Sequence, residues 1–311
     1  MSLELFRLKR DIPFMRWARS TIFASVAFIL ASIGLLAFKG LNLGVDFTGG
    51  TIMEISYPTA ADIPAIRDHL ARHGYDDAQV QAFGASTDVL IRLPVKAGVT
   101  SAQLSEKVIV VLRAQEPRAD LRRVEFVGPQ VGKELFEDGA LALLVVFIGI
   151  AIYLALRFEW RFAVGAIFAI AHDVFIVLGA FSLFQWEFSL TVLAAVLAVL
   201  GYSVNDTVVV FDRIRENFRK TRLTDVAAIM DNATTATLSR TIITSGTTLM
   251  MVLSILFLGG EALHGFAMAL AIGIVVGTYS SVLVASPVVM WLGVSREDFI
   301  KPVKQERGAV V

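Results

Sequence analysis

Long uncharged stretches dominate the sequence and limit what the chain can fold into. Six runs approach or exceed the roughly 20 residues that an α-helix needs to cross a bilayer. They cover residues 21–38, 139–156, 162–184, 188–211, 241–258 and 263–292. Charged residues make up only 18% of the chain, whereas soluble proteins carry about 25%. The sequence therefore predicts a polytopic α-helical membrane protein with six transmembrane helices, the first over 20–38 and the other five within 139–292.

The first run has a second interpretation, as a secretory signal peptide. Residues 21–38 are longer than the roughly 7–15 residues of a signal-peptide core, and no A-x-A cleavage pattern follows them. We therefore expect an uncleaved first span.

Lysine and arginine gather on one side of the predicted spans. They occupy an N-terminal segment (1–19), the loop after the second run, a charged amphipathic loop (212–238) and a tail (293–311). They are Arg7, Lys9, Arg10, Arg16, Arg19, Arg157, Arg161, Arg213, Arg215, Arg219, Lys220, Arg222, Arg240, Arg296, Lys301, Lys304 and Arg307. The short loops on the other side contain none. The positive-inside rule then places both termini in the cytoplasm and residues 39–138 outside the membrane.

Residues 39–138 alternate strand-like and helix-like patterns. Strands are predicted at 51–55, 79–83, 89–93 and 121–127, with a turn at 84–86. Two amphipathic helices lie between them, with Asp62 as the N-cap of one and a Thr100–Gln103 capping box on the other. The order β-α-β-β-α-β predicts an extracytoplasmic α+β domain of the ferredoxin-like kind. Such a domain is either a folded spacer or a surface that contacts a translocating chain or a partner domain.

Charged side chains interrupt three of the apolar runs. His172 and Asp173 lie in the third run, Asp206 lies in the fourth and Arg240 opens the fifth. A charge at the bilayer centre costs about 2.5–3.5 kcal/mol on insertion scales and usually faces a bundle interior.

The functional hypothesis is that Asp206 binds and releases protons while Arg240 acts as its switchable partner. The approach of a guanidinium changes how firmly a carboxylate holds its proton, and a gradient supplies about 2.3 kcal/mol per charge per 100 mV. Structural roles are the alternatives: an interface anchor for Arg240, a fixed hydrogen bond for Asp206, and a brace for the pair His172 and Asp173.

Other residues near these charges add two expectations. Ser203 shares the helical side of Asp206, so His172, Asp173, Ser203 and Asn205 are candidates for a secondary proton path. Small residues recur at every fourth position of the sixth run, at Gly265, Ala269, Gly273 and Gly277. Such a stripe predicts close packing against another helix.

Composition and missing motifs exclude several classes of function. The chain has 28 basic and 28 acidic residues, so it lacks the electrostatic footprint of a nucleic-acid-binding protein. It contains no cysteine, which excludes thiolate metal sites and cysteine nucleophiles. There is no Walker, H-E-x-x-H or G-x-S-x-G motif. We therefore expect no enzymatic activity, no cofactor and no metal.

Several sequence motifs together resemble one known family. They are VDFTGGT at 45–51, AHDV at 171–174, GYSVNDT at 201–207 running into FDRIRENFR at 211–219, LSRT at 238–241 and TSGTT at 244–248. In this order and topology they resemble the SecD/SecF family of protein-export membrane proteins, over nearly the whole chain.

The resemblance implies a fold, partners and site residues. It implies half of a bundle similar to that of resistance-nodulation-division pumps, completed by a SecD partner in the bacterial inner membrane. It implies that the pair uses the proton-motive force to promote late translocation of SecA-driven preproteins through the SecYEG channel. The family's functional carboxylate maps onto Asp206 and its arginine onto Arg240.

Two alternatives remain open at this stage. One is half of a transporter for small molecules or lipids with the same fold. The other is an intramembrane aspartyl protease that uses Asp173 and Asp206, although the context of Asp206 lacks the G-x-G-D pattern of such enzymes.

Overall fold

The computed structural model describes residues 10–96, 98–220 and 225–299. Six of its helices are long and apolar enough to cross a membrane, which confirms the predicted fold class of a multi-pass protein. The helices are α1 (Ala18–Phe38), α2 (Val45–Thr48), α3 (Ile63–Arg72), α4 (Ser101–Gln115), α5 (Pro129–Arg157), α6 (Trp160–Phe184), α7 (Leu190–Lys220), α8 (Val226–Leu258), α9 (Glu261–Ser280) and α10 (Ser286–Trp291). A π-helical segment, Ser281–Ala285, joins α9 to α10.

Part of the predicted orientation signal lies outside the described residues. This applies to Arg7, Lys9, Arg222, Lys301, Lys304 and Arg307, and to residues 1–9 and 300–311 of the predicted segments 1–19 and 293–311.

The charged stretch 212–238 does not form a separate surface segment in the described part of the chain. Its first residues continue α7 and its last residues begin α8. The charged residues that suggested a surface loop form ion pairs along α7 instead. Glu216 Oε2 lies 2.8 Å from Arg213 Nη1, and Glu216 Oε1 lies 2.6 Å from Lys220 Nζ. Phe218 on the opposite side of the same helix is fully buried, and this burial stabilises the extension of α7.

Three helices form the centre of the bundle. Half of the residues in the apolar windows of α6, α7 and the α9–α10 helix are buried, against 17% or less in the other three spans. Aromatic side chains fill the core at one end, where the rings of Phe162 and Phe211 meet edge to face at 4.9 Å. The peripheral helices α1, α5 and α8 leave large apolar side chains exposed, as helices facing lipid do.

The segment between α1 and α5 folds into the predicted α+β domain. Its sheet contains β2 (Gly50–Ser56), β3 (Gln79–Phe83), β4 (Ala85–Leu93) and β5 (Asp120–Val127), in the order β3-β4-β2-β5 with antiparallel neighbours. This is the split βαβ topology, and α3 and α4 cover one face of the sheet around a buried core.

Local signals in this domain act as the sequence predicts, with one exception. Asp62 caps α3, and Thr100 and Gln103 form a capping box on α4. The predicted turn at 84–86 is wrong, because β4 begins at Ala85. Gly84, at φ +73°, makes the tight connection alone.

The α+β domain is tied to the bundle at the turn between α6 and α7. β1 (Asn42–Leu43) pairs in parallel with β6 (Glu187–Phe188). Gly132 of α5 approaches the backbone of Phe47 so closely that an added Cβ would lie 2.8 Å from its carbonyl oxygen. The Asp46 carboxylate accepts a 2.9 Å hydrogen bond from Leu190 N, the first amide of α7. These contacts with the α+β domain and its linker therefore fix the position of the first residues of α7.

Candidate functional site

Asp173 lies at the centre of a buried polar cluster. Its side chain is 1% exposed, and its Oδ2 accepts hydrogen bonds from Ser203 of α7 at 2.5 Å and from Ser280 of α9 at 2.8 Å. His172 Nδ1 lies 2.9 Å from its Oδ1. His172 belongs to α6, Ser203 to α7 and Ser280 to α9. The hydrogen bonds of Asp173 therefore connect the three central helices and involve both of its carboxylate oxygens.

Asp206 has a much sparser environment than Asp173. It is 3% exposed, and its Oδ2 accepts a hydrogen bond of 3.2 Å from Ser245 of α8. Thr278 Oγ1 of α9 lies 2.8 Å from Ser245 Oγ. Asp206 is thus a buried carboxylate whose hydrogen bond comes from a neutral hydroxyl, and that hydroxyl connects it to α9.

Arg240 does not contact Asp206 in this state. Among the described residues, no ion pair or hydrogen bond joins the two side chains, and Arg240 is exposed on the lateral surface of α8. Arg240 lies five residues before Ser245, the donor to Asp206, on the same helix α8. The structure therefore places Arg240 on the helix that contacts Asp206, without a salt bridge to it.

The candidates for a secondary path divide into two groups. His172, Asp173 and Ser203 are brought together, but Ser203 donates to Asp173 and not to Asp206, its neighbour on the same helix face. His172 is fully buried, and its Nε2 has no hydrogen-bond partner within the described ranges. Asn205 points away from this cluster and is exposed.

The stripe of small residues on α9 packs against α7. A Cβ added to Gly265 would lie 3.0 Å from Val192, and one added to Gly273 would overlap Val199. A Cβ on Gly277 would lie 3.3 Å from Ser203 and 3.5 Å from Asp173 Oδ2. Ala269 between them is fully buried. Close packing of α7 and α9 therefore brings the Ser280 hydroxyl within reach of Asp173.

Several polar contacts in the bundle were not among the sequence candidates. They involve Ser245, Thr278, Ser280 and the pair Thr207–Ser281, whose hydroxyl oxygens lie 3.0 Å apart. The signal that could have found them is the run Thr278-Tyr279-Ser280-Ser281, four polar residues within an otherwise apolar span. Ser280 immediately precedes the π-helical segment and Ser281 opens it, and such segments are frequent at functional sites. Within the described ranges, no three His, Asp or Glu side chains are grouped so as to hold a metal.

Comparison with known families identifies the class of protein. Residues 107–295 match the family model "Protein export membrane protein SecD/SecF, C-terminal", and residues 34–59 match the SecD/SecF GG motif. The chain therefore belongs to the SecD/SecF family of protein-export membrane proteins, as its motifs predicted.

Individual relatives narrow the assignment within the family. The chain is 48% identical over 307 residues to protein translocase subunit SecF of Vibrio alginolyticus, covering 98% of each chain. It is 43% identical to the Escherichia coli O157:H7 SecF subunit, covering 97% of this chain and 94% of that one. These relatives are named as protein translocase subunits.

A solved structure has the same fold. The crystal structure of SecDF, a translocon-associated membrane protein from Thermus thermophilus, superposes with a TM-score of 0.82 at 37% identity and covers 94% of this chain. This chain spans 39% of the length of that SecDF chain.

Proposed function

We propose that this chain couples the proton-motive force to late steps of protein export, with Asp206 as the group that takes up and releases protons. The supporting observation is the contrast between the two intramembrane aspartates. Asp173 is held by three side chains, whereas Asp206 accepts from one neutral hydroxyl at 3.2 Å. A carboxylate with so few donors, in contact with a helix that also carries a cation, is suited to change its protonation state.

Arg240 is the proposed counter-charge that moves between two positions. Its guanidinium lies on the outer face of α8 and makes no ion pair within the described ranges. A small shift of α8 relative to α7 would bring it to Asp206 or take it away. His172, with its unpartnered Nε2, is the proposed secondary element, and Asp173 and Ser203 orient it.

A second bundle is proposed to cover the exposed side of α7. Thr191, Ala194, Ala198, Gly201 and Asn205 are all exposed and fall on one stripe of the helix. Small residues at this spacing allow a helix from another subunit to approach closely. The partner we propose is SecD, since the solved SecDF chain contains a large region beyond the part that matches this chain.

The same proposal includes the surroundings of the complex. Residues 39–138 would lie outside the bacterial inner membrane as the extracytoplasmic domain, and both termini would lie in the cytoplasm. The pair would act on SecA-driven preproteins emerging from SecYEG. No observation favours the transporter alternative. For the protease alternative, the two carboxylates would have to share a proton, and no hydrogen bond joins Asp173 and Asp206 among the described residues.

The proposal is tested with inverted membrane vesicles that contain SecD and either the natural chain or Asp206→Asn. The variant keeps the volume of the side chain and its ability to accept from Ser245, so the bundle should remain assembled. We expect gradient-dependent export to fall to the level of vesicles without this chain, while ATP-driven export is unchanged. Full gradient stimulation in the variant, at equal protein levels, would refute the proposal.

A further inference from the structure

A cleft separates the α+β domain from the end of the helix bundle. Its volume is about 550 Å³, within the range of ligand-binding clefts. The uncovered face of the sheet forms one wall, with Ile52, Gln81 and Leu90 among its residues. The turn between α6 and α7, the start of α7 and the start of α9 form the other wall, where Trp186 and Met268 lie. Asp206 and Arg240 are not part of it.

The lining combines amide side chains with apolar surface. Asn42, Gln79, Gln81 and Gln185 contribute amides, and Phe83, Phe181 and Trp186 contribute aromatic rings. The side chains of Gln79 and Gln81 make no hydrogen bond within the described ranges, and both extend from the edge strand β3. A side-chain amide both donates and accepts, so it can pair with peptide groups whatever the sequence that carries them.

The charges of the cleft disfavour anionic ligands. Arg92 pairs with Glu187 at 2.5 Å, and Arg123 pairs with Glu125 on the same strand. Asp46 and Glu54 add two further carboxylates to the lining, so acids exceed arginines. A phosphate or a nucleic acid would meet net negative charge, and a lipid tail would leave Gln79, Gln81 and Glu54 without hydrogen-bond partners.

We propose that this cleft binds an extended segment of a polypeptide on its way out of the membrane. The amides of Gln79 and Gln81 would pair with its backbone, and the partly exposed rings of Phe83 and Trp186 would take apolar side chains. Glu54, which has no ion pair among the described residues, would take a basic side chain. The idea rests on the proposed export function. It adds a substrate site whose floor includes the beginning of α7, the helix that carries Asp206.

The test uses the full chain with SecD in nanodiscs. The probe is a short unstructured peptide of glycine, serine, glutamine and leucine that carries one benzophenone side chain. After illumination, mass spectrometry locates the attachment sites, and the unlabelled peptide serves as competitor. We expect attachment to β3, β4 and the α6–α7 turn, and loss of attachment on competition.

A cleft-filling variant and a matched control make the test specific. Gln81→Trp should lower the specific cross-linked yield by about tenfold, equivalent to about 1.4 kcal/mol. Gln79→Trp, on the same face of the same strand, provides a second filling variant if the first fails to fold. Gln115→Trp places the same bulk at the exposed end of α4, outside the cleft, and should bind like the natural chain.

Three results would overturn the proposal. They are equal yields in the filled and control variants, attachment spread over α3 and α4 on the other face of the sheet, and occupation of the cleft by a segment of SecD or by lipid. Asp206→Asn separates this site from the proposed coupling function, because it should leave peptide attachment unchanged. If the peptide still attaches to the cleft and Asp206→Asn still exports normally, the peptide-binding cleft would be supported and the proposed role of Asp206 in coupling would be rejected.

Discussion

The contact between α7 and α9 gives the sharpest prediction about stability. In Gly273→Ala, the added Cβ would overlap the side chain of Val199, with Val199 Cγ1 at 2.7 Å and its Cβ at 3.0 Å. Val199 is 1% exposed and β-branched, so it has little freedom to rotate away. The two helices would have to separate by a few tenths of an ångström or more.

The size of the effect follows from two opposing contributions. Overpacking in a filled core costs about 1–3 kcal/mol. Alanine recovers up to about 1 kcal/mol of helix propensity relative to glycine. We therefore expect a net loss of about 1–2 kcal/mol in the free energy of unfolding. The matched control is Gly149→Ala in α5, where an added Cβ has no atom within 4 Å and stability should hold or rise.

Reversible unfolding in mixed micelles measures the free energy of unfolding of each variant. The second substitution Val199→Ala makes room for the new methyl group, so the double variant should lose less stability than the sum of the two single variants. If Gly273→Ala and Gly149→Ala are equally stable, or if the two substitutions at 273 and 199 are additive, the packing of α9 on α7 described above is wrong.

Three further predictions concern the joint, the partner face and the α+β domain. Asp46→Ala should lower the unfolding free energy by about 0.5–2 kcal/mol through loss of the cap on α7. Asp46→Asn keeps an acceptor for Leu190 N, so it should lose less stability. An Asn variant that loses as much stability as the Ala variant would contradict the cap. Gly201→Leu should leave the isolated chain stable, because nothing lies within 4 Å of an added Cβ. It should nevertheless reduce co-purification of the chain with SecD. Undiminished co-purification would show that this face of α7 is not part of the interface with SecD. Burial, and then the charge of Glu116, raise the pKa of Tyr57 from 10.0 to about 12, so its neutral form contributes stability that is complete below about pH 10 and is lost as pH rises through about 12. Tyr57→Phe should flatten the alkaline loss of domain stability measured by circular dichroism, and an unchanged pH profile would refute this role.

The spans and the α+β domain could be predicted because their signals are local. An apolar run long enough to cross a bilayer, a capping box and alternating strands are all read within about 20 neighbouring residues. The helix ends were harder to predict. At α7 the apolar pattern stops near Phe211, but i,i+4 pairing to Lys220 and the burial of Phe218 carry the helix further.

The details of the site depend on contacts that no local pattern encodes. Ser203 and Asp206 share one face of α7, and sequence spacing alone cannot tell that the Ser203 hydroxyl turns to Asp173 on α6. The hydrogen bond from Leu190 to Asp46 joins residues 144 positions apart. Their position as charged residues within apolar runs identified Asp173 and Asp206 as unusual, but only the packing of the helices shows that their hydrogen-bond donors differ.

The central claim is that Asp206 changes its protonation state during the cycle while Asp173 remains fixed. Infrared difference spectroscopy tests it directly, on the complex with SecD in proteoliposomes, by recording the spectrum before and after a proton gradient is imposed. We predict a carboxylic-acid band that appears or disappears with the gradient, is absent in Asp206→Asn and persists in Asp173→Asn. A band that survives in Asp206→Asn, or that is lost only in Asp173→Asn, would contradict the assignment of Asp206 as the coupling carboxylate.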